Sequence, residues 1–113
     1  MTPNYTKGNP NAGLTPITSP WMHQIFKDQQ IIKELIEKHG SPINLHHLPS
    51  FSANITSFKK LFESHGLKHQ IYYARKANKS KALVKKALDV GIGVDTASQK
   101  ELEQSLALGG TGK

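Results

Sequence analysis

The feature that most constrains the fold of this chain is an alternation of helical and strand-like patterns from about residue 50 onward. The patterns predict, in order, a helix from Ser50, a strand over 70–74, a helix from Ser80, a strand around 92–94 and a helix from Ser98. Alternation of this kind predicts an α/β fold with a parallel sheet whose strands are joined by crossover helices.

Each of the three predicted helices carries apolar residues at helical spacing, which should form its inner face. The first stripe is Phe51, Ile55, Phe58, Leu61 and Phe62; the second is Leu83, Val84, Ala87 and Leu88; the third is Leu102 and Leu106. Glycine follows each stripe, at positions 66, 91 and 109, and predicts the helix ends. Ser98 with Glu101 three residues later is typical of a capping box.

The first part of the chain divides into a leader and a helical segment. Residues 1–20 are rich in proline and glycine with little apolar periodicity, which predicts a flexible leader. Residues 21–39 have helical spacing, and Asp28 is a plausible N-cap that divides them into two helices. Gly40 should end the second helix. The alternation at Ile43 and Leu45 predicts a short strand, so that residues 40–113 form the first part of the main domain.

Composition excludes several classes of protein. The chain has no cysteine, and the adjacent His46 and His47 would face opposite ways on a strand, so no metal site is predicted. No apolar run is long enough for a membrane span or a signal peptide, which favours a cytoplasmic location. The formal net charge is +7. Its lysines are spread over several elements rather than packed in one arm, so we expect no nucleic-acid partner.

Lys76 is the candidate for chemistry. Because side chains alternate along a strand, Lys76 should share a face with Tyr72 and Ala74, while Tyr73 and Arg75 take the other. The carboxyl end of a parallel strand is where barrel enzymes place catalytic groups, and Ala74 would leave room for a flat ring. A desolvated lysine is also a good amine nucleophile. The alternative is a strand-end lysine that reaches into solvent.

Two motifs in register carry a family resemblance. Residues 73–78 (YARKAN) are similar to the Tyr-Ala-Val-Lys-Ala-Asn motif of diaminopimelate and ornithine/arginine decarboxylases. Residues 93–102 (GVDTASQKEL) resemble the Gly-x-Asp-x-Ala-Ser-x-x-Glu-Leu motif of the same enzymes, and residues 40–43 resemble the segment that leads into their barrel. Over residues 40–109 the chain therefore resembles the fold-type III pyridoxal 5′-phosphate (PLP) dependent decarboxylases.

The resemblance implies a fold and an assembly. The expected fold is the N-terminal part of a (β/α)8 TIM barrel of the alanine racemase-like type. The barrel would be incomplete in this chain, because a third strand is due where the sequence stops at Lys113. Such enzymes carry a further β-domain and form homodimers with active sites at the interface. A piece of this size is expected to be inactive alone.

The resemblance also assigns roles to residues. It implies that Lys76 carries PLP as a Schiff base and serves in proton transfer once an amino-acid substrate has displaced it. Ala74, Asp95 and Glu101 would lie near the cofactor, with Asp95 at the end of the adjacent strand, close to Lys76. Glu101 has an alternative as a helix cap, and Asp95 as a turn residue at the strand end.

The sequence departs from the family pattern at Arg75, where an apolar residue is usual. An arginine there could snorkel to solvent or pair with Asp89 or Glu101. Residues 78–81 lack the Tyr-Gly-His continuation of alanine racemases, which favours a decarboxylase acting on a basic or diamino acid. Two alternatives stay open: a PLP-dependent racemase or epimerase, and a non-catalytic basic binding module.

Overall fold

The computed structural model describes residues 17–112. They fall into two compact units, with the division between Asn44 and Leu45. Most of the predicted leader lies outside the described residues, so its conformation stays a prediction. The last residue assigned to the leader, Pro20, is instead the first residue of a helix. Proline suits this position because its fixed φ matches a helix and the first helical N–H needs no partner within the helix.

The first unit contains two consecutive helices, α1 (Pro20–Lys27) and α2 (Gln29–His39). The carboxylate of Asp28 accepts a hydrogen bond from the Ile31 N–H at 3.1 Å, which confirms the predicted N-cap between them. Gly40, with φ of 83°, ends α2 as predicted, because its backbone is in a region that other residues rarely adopt.

The predicted strand at Ile43 and Leu45 is wrong. Residues 43–47 have no regular secondary structure, and Leu45 is exposed. A strand requires a partner for its backbone hydrogen bonds, and the two strands of the described residues pair only with each other. The chain instead runs directly into the next helix.

The second unit has the predicted order of helix, strand, helix, strand and helix. Its elements are α3 (Leu48–Ser64), β1 (Tyr72–Ala74), α4 (Lys81–Asp89), β2 (Gly93–Asp95) and α5 (Gln99–Ala107). The strands are parallel, with Tyr72 opposite Gly93 and Ala74 opposite Asp95. The α/β prediction is therefore confirmed, with α4 as the crossover between adjacent parallel strands.

A small apolar core lies between the sheet and the helices, where α3 packs against α4. Its buried residues are Ile55, Ala87 and Ile92, against which Phe51, Ile71, Tyr73, Val90 and Val94 are packed. Val84 on α4 is also completely buried. Burying an aliphatic side chain of the size of valine or isoleucine contributes about 1.5–3 kcal/mol, so this cluster stabilises the unit.

The apolar stripes of α3 and α5 are only partly buried. On α3, Phe58 is 59% exposed and Leu61 is 55% exposed, although both were expected in the stripe. The predicted inner face of α5 is wrong, because Leu102 and Leu106 are exposed. The buried residues of α5 are polar, Glu101 and Ser105, and their face turns toward the segment that follows β1.

Candidate functional site

The chain changes direction immediately after β1. Residues Arg75–Ala77 form a single turn of 3₁₀ helix, which we call the lysine turn. The prediction that Lys76 continues the strand, on one face with Tyr72 and Ala74, is therefore wrong. The ladder with β2 ends at the pair Ala74 and Asp95, and the backbone beyond it no longer has a strand partner. Lys76 nevertheless lies directly beyond the carboxyl end of β1, as predicted.

The Lys76 side chain is exposed, and its amine makes no hydrogen bond or ion pair with any residue that the structure describes. The exposed position is the one expected for a strand-end lysine in solvent. It also suits covalent attachment of a cofactor, because an amine engaged in an ion pair would first have to be released. Ala74, which is small and half-buried, ends the strand two residues before Lys76.

Asp95 is the last residue of β2 and is exposed. It lies opposite Ala74 in the ladder, and Ala74 is two residues before Lys76 in the chain. The lysine turn also contacts β2. The carboxyl ends of the two parallel strands therefore bring an amine and a carboxylate to the same edge of the sheet. These residues fit a PLP site in chemical type: an unpaired lysine, a small neighbour and an acidic group.

Arg75 is buried, with 2% of its surface exposed. Its Nη1 donates to the Glu101 carbonyl oxygen at 2.8 Å, and its Nη2 donates to the side-chain oxygen of Gln104. The expectations that it snorkels or pairs with Asp89 are wrong, because the lysine turn directs it toward α5 and Asp89 pairs with Lys85 at 2.5 Å. The expected partner Glu101 is contacted, but through its main chain.

The Glu101 carboxylate joins three segments near the site. One oxygen accepts from the Ala97 N–H at 2.9 Å, and the other lies 3.6 Å from the Lys79 amine. Its own N–H donates to the Ser98 hydroxyl at 3.3 Å. The alternative role of Glu101 as a helix cap is thus confirmed. Its carboxylate accepts from the N–H of Ala97, whereas a standard capping box would use the N–H of the N-cap residue Ser98. The Ala97 N–H lowers the pKa of Glu101 most, burial opposes this, and Lys79 and Arg75 lower it further.

Asn78 organises the segment between the lysine turn and α4, a role that the sequence pattern did not predict. The Tyr73 hydroxyl donates to its carbonyl at 2.6 Å, and its side-chain oxygen accepts from the Ser80 N–H at 3.0 Å. Its amide nitrogen lies 2.8 Å from His46 Nε2. Burial raises the pKa of Tyr73, with the Arg75 charge opposing it. An asparagine whose side chain accepts from the backbone N–H two residues later is a known turn signal, which could have indicated the contact with Ser80.

A depression of about 270 Å³ lies at the opposite end of the sheet. Its lining includes Lys59 of α3, His69 ahead of β1 and Gly93 at the start of β2. It therefore opens at the amino ends of the strands, whereas Lys76 and Asp95 follow the carboxyl ends. The depression contributes nothing to the candidate site.

The described residues contain no group of three or more His, Cys, Asp and Glu side chains placed to hold a metal ion. Across residues 17–112, none of the helices combines the length and the apolar character that a membrane span requires.

Comparison with known proteins identifies the second unit. Residues 48–113 match the family model of the pyridoxal-dependent decarboxylases, pyridoxal binding domain. The chain is 37% identical to a diaminopimelate decarboxylase of Bacillus subtilis (strain 168) over 75 residues, 66% of this chain and 17% of that protein. It is 32% identical to a diaminopimelate decarboxylase of Bacillus methanolicus over 76 residues, 67% of this chain and 18% of that protein.

A third relative extends the similarity toward the N-terminus. The uncharacterized protein y4yA of Sinorhizobium fredii (strain NBRC 101917 / NGR234) is 36% identical over 101 residues, 88% of this chain and 22% of that protein. The chain thus spans about a fifth of the length of these relatives. No solved structure matches it significantly.

Proposed function

The chain belongs to the family of pyridoxal-dependent decarboxylases, whose pyridoxal-binding domain it carries and whose cofactor is PLP, and we propose that Lys76 is the residue that binds this cofactor covalently. The proposal depends most on one observation: the Lys76 amine lies just beyond the carboxyl end of β1 and is engaged by no described residue. The other lysine of this segment, Lys79, is already paired with Glu101.

The reaction we propose is the decarboxylation of an amino acid. PLP, when bound, supplies an electron sink for the electron pair that departing CO2 leaves behind. Lys76 anchors it through Nζ, and once substrate has taken its place the free amine can hold a proton and return it to the substrate carbon. Asp95 supplies an acidic group at the same edge of the sheet, and Glu101 acts through the two loops that it joins.

The whole protein is, in this proposal, a (β/α)8 barrel of which residues 48–113 form the first part, working as a homodimer in the cytoplasm. Two observations support the barrel: the parallel βαβ arrangement and the position of Lys76 and Asp95 at the strands' carboxyl ends. The substrate class is a basic or diamino acid. Because two relatives are named diaminopimelate decarboxylases, diaminopimelate is the first substrate to assay.

The test is CO2 release by the complete protein with PLP, using diaminopimelate, ornithine, arginine and lysine as substrates. Lys76→Ala should abolish release. Lys76→Arg should do the same, because a guanidinium stays protonated and cannot make the covalent bond. Lys81→Ala is the matched control: Lys81 is also exposed but lies in the first turn of α4, and its loss should leave CO2 release unchanged.

Two results would redirect the proposal. Exchange of the substrate α-hydrogen with solvent, without CO2 release but dependent on Lys76, would identify a racemase or epimerase. A complete protein that develops no visible absorption band with PLP would contradict cofactor binding and favour a non-catalytic binding module.

A further inference from the structure

Two loops follow the carboxyl ends of the strands, and one network ties them together. The loop after β1 contains the lysine turn, and the loop after β2 comprises residues 96–98. Arg75, in the first loop, donates to α5 at Glu101 and Gln104. Glu101 in turn accepts from Ala97 in the second loop. The backbone of residue 75, adjacent to Lys76, is thereby linked through α5 to the loop that follows Asp95.

Arg75 is an unusual choice for a buried position. A guanidinium presents its donors in a rigid planar fork, which can fix two acceptors at once, and here both acceptors belong to one helix. Its Nε is buried and has no hydrogen-bond acceptor among the described residues. Burying a guanidinium with one N–H donor unsatisfied costs free energy of folding. A well-packed apolar side chain at such a position often gives equal or greater stability.

We propose that Arg75 is a positioning residue, which holds the lysine turn against α5 so that the Lys76 amine is presented beside Asp95 for reaction with the cofactor. The proposal rests on Lys76 being the cofactor lysine. The fork fixes the direction in which the chain leaves β1, and so the direction of the next side chain. An apolar side chain at position 75 would fill the space without fixing that direction.

A purely structural role and a positioning role of Arg75 predict different effects of the Arg75→Met substitution. If the residue served packing alone, Arg75→Met would keep the function as long as the fold survived. The substitution leaves no new buried group unsatisfied on the main chain, because the Glu101 carbonyl also accepts from the Ser105 hydroxyl at 2.8 Å. Gln104 is only half-buried and can bind water instead. Stability should therefore be kept, and function alone should respond.

The experiment compares the complete protein with Arg75→Met, Gln104→Leu and Gln104→Glu. Arg75→Met removes both hydrogen bonds to α5, and Gln104→Leu removes only the one to the Gln104 side chain. Gln104→Glu retains an acceptor for the guanidinium. Lys85→Met is the matched control, because it removes a positive charge from an exposed ion pair on α4. Three quantities are measured: thermal stability, hydrogen–deuterium exchange of residues 75–78 without cofactor, and the rate at which the PLP absorption band appears.

We expect Arg75→Met to melt at the temperature of the unsubstituted protein or above it. Its amides at 75–78 should exchange faster, and attachment of PLP should slow by about tenfold to a hundredfold, as for a misplaced reactive group. Gln104→Leu should slow attachment less, Gln104→Glu less still, and Lys85→Met not at all. Attachment at the original rate in Arg75→Met, or slowing in proportion to lost thermal stability, would overturn the proposal. Lys76→Ala in the same assay separates the two claims: if PLP still attaches there, it is the proposed function that fails.

Discussion

Around Lys76 the backbone is held by side chains rather than by a strand ladder. Arg75 fixes it from one side, and Tyr73 and Ser80 fix Asn78 from the other. The motif predicted that Lys76 lies at the carboxyl end of a strand, which the structure has at β1. It could not predict the contacts of the neighbouring residues, because these depend on the turn after Ala74. The prediction applied the alternation of strand side chains beyond Ala74, the last paired residue of β1. It therefore placed Arg75 and Lys76 on opposite faces of a strand, whereas both lie in the lysine turn.

Asp95→Ala should weaken PLP binding or slow turnover while the fold stays intact. The side chain is exposed, and exposed substitutions away from special features usually change stability by less than about 0.5 kcal/mol. The measurements are the PLP dissociation constant, turnover and the melting temperature of the complete protein, with Asp95→Asn as the variant that removes only the charge. Unchanged binding and turnover in both variants would reduce Asp95 to a residue of the strand-end turn.

Among the elements, α5 connects the two loops at the site. It accepts hydrogen bonds from Arg75 of the lysine turn, and the carboxylate of its Glu101 accepts from Ala97 in the loop after β2. Its start at Ser98 and its end before Gly109 follow from capping chemistry and were predicted. Its rotation about its own axis was not. Apolar spacing pointed Leu102 and Leu106 inward, but the buried guanidinium of Arg75 requires acceptors, and the face with Glu101 supplies them. Arg75, which packs against α5, therefore determines which face of the helix is buried. This face cannot be predicted from the apolar spacing of α5 alone.

Glu101→Gln should change how stability depends on pH. The pKa of Glu101 is lowered in the folded state, so its charged form is favoured by folding. This contribution is complete above the ordinary glutamate pKa of about 4.3 and is lost as pH falls through the lowered value. The unsubstituted protein should therefore lose stability in that acidic range more steeply than Glu101→Gln.

The measurement is the free energy of unfolding in urea between pH 2 and pH 7. Ser98→Ala is the control, since loss of an N-cap hydroxyl costs about 0.5–2 kcal/mol at every pH and leaves the titrating group in place. Parallel curves for the unsubstituted protein and Glu101→Gln would contradict the role given to the carboxylate.

At the scale of the whole molecule, the second unit leaves apolar surface and strand edges uncovered. Phe58, Leu61, Leu102 and Leu106 are each between 46% and 59% exposed. The sheet of the described residues has two strands, so each strand has an edge that can pair with another chain. Surfaces of this kind are covered by further elements of a barrel or by contact with other molecules.

We therefore predict that the 113-residue chain, expressed alone, self-associates and releases no CO2 from any of the four substrates. Light scattering and analytical ultracentrifugation measure the association, and Leu102→Glu with Leu106→Glu should reduce it if the exposed face of α5 is responsible. Grafting residues 48–113 in place of the matching segment of the Bacillus subtilis enzyme supplies the missing neighbours and should restore CO2 release. A monomeric chain with decarboxylase activity would contradict the prediction.

The central claim is that Lys76 carries the cofactor, and peptide mapping after borohydride reduction tests it most directly. Reduction of the complete protein with PLP makes the bond to lysine permanent, and mass spectrometry of the digest then locates the label. We predict a single pyridoxyl group on Lys76, absent in Lys76→Ala and retained in Lys81→Ala. A label on Lys79 or Lys81, or one spread over the lysines in proportion to their exposure, would contradict it.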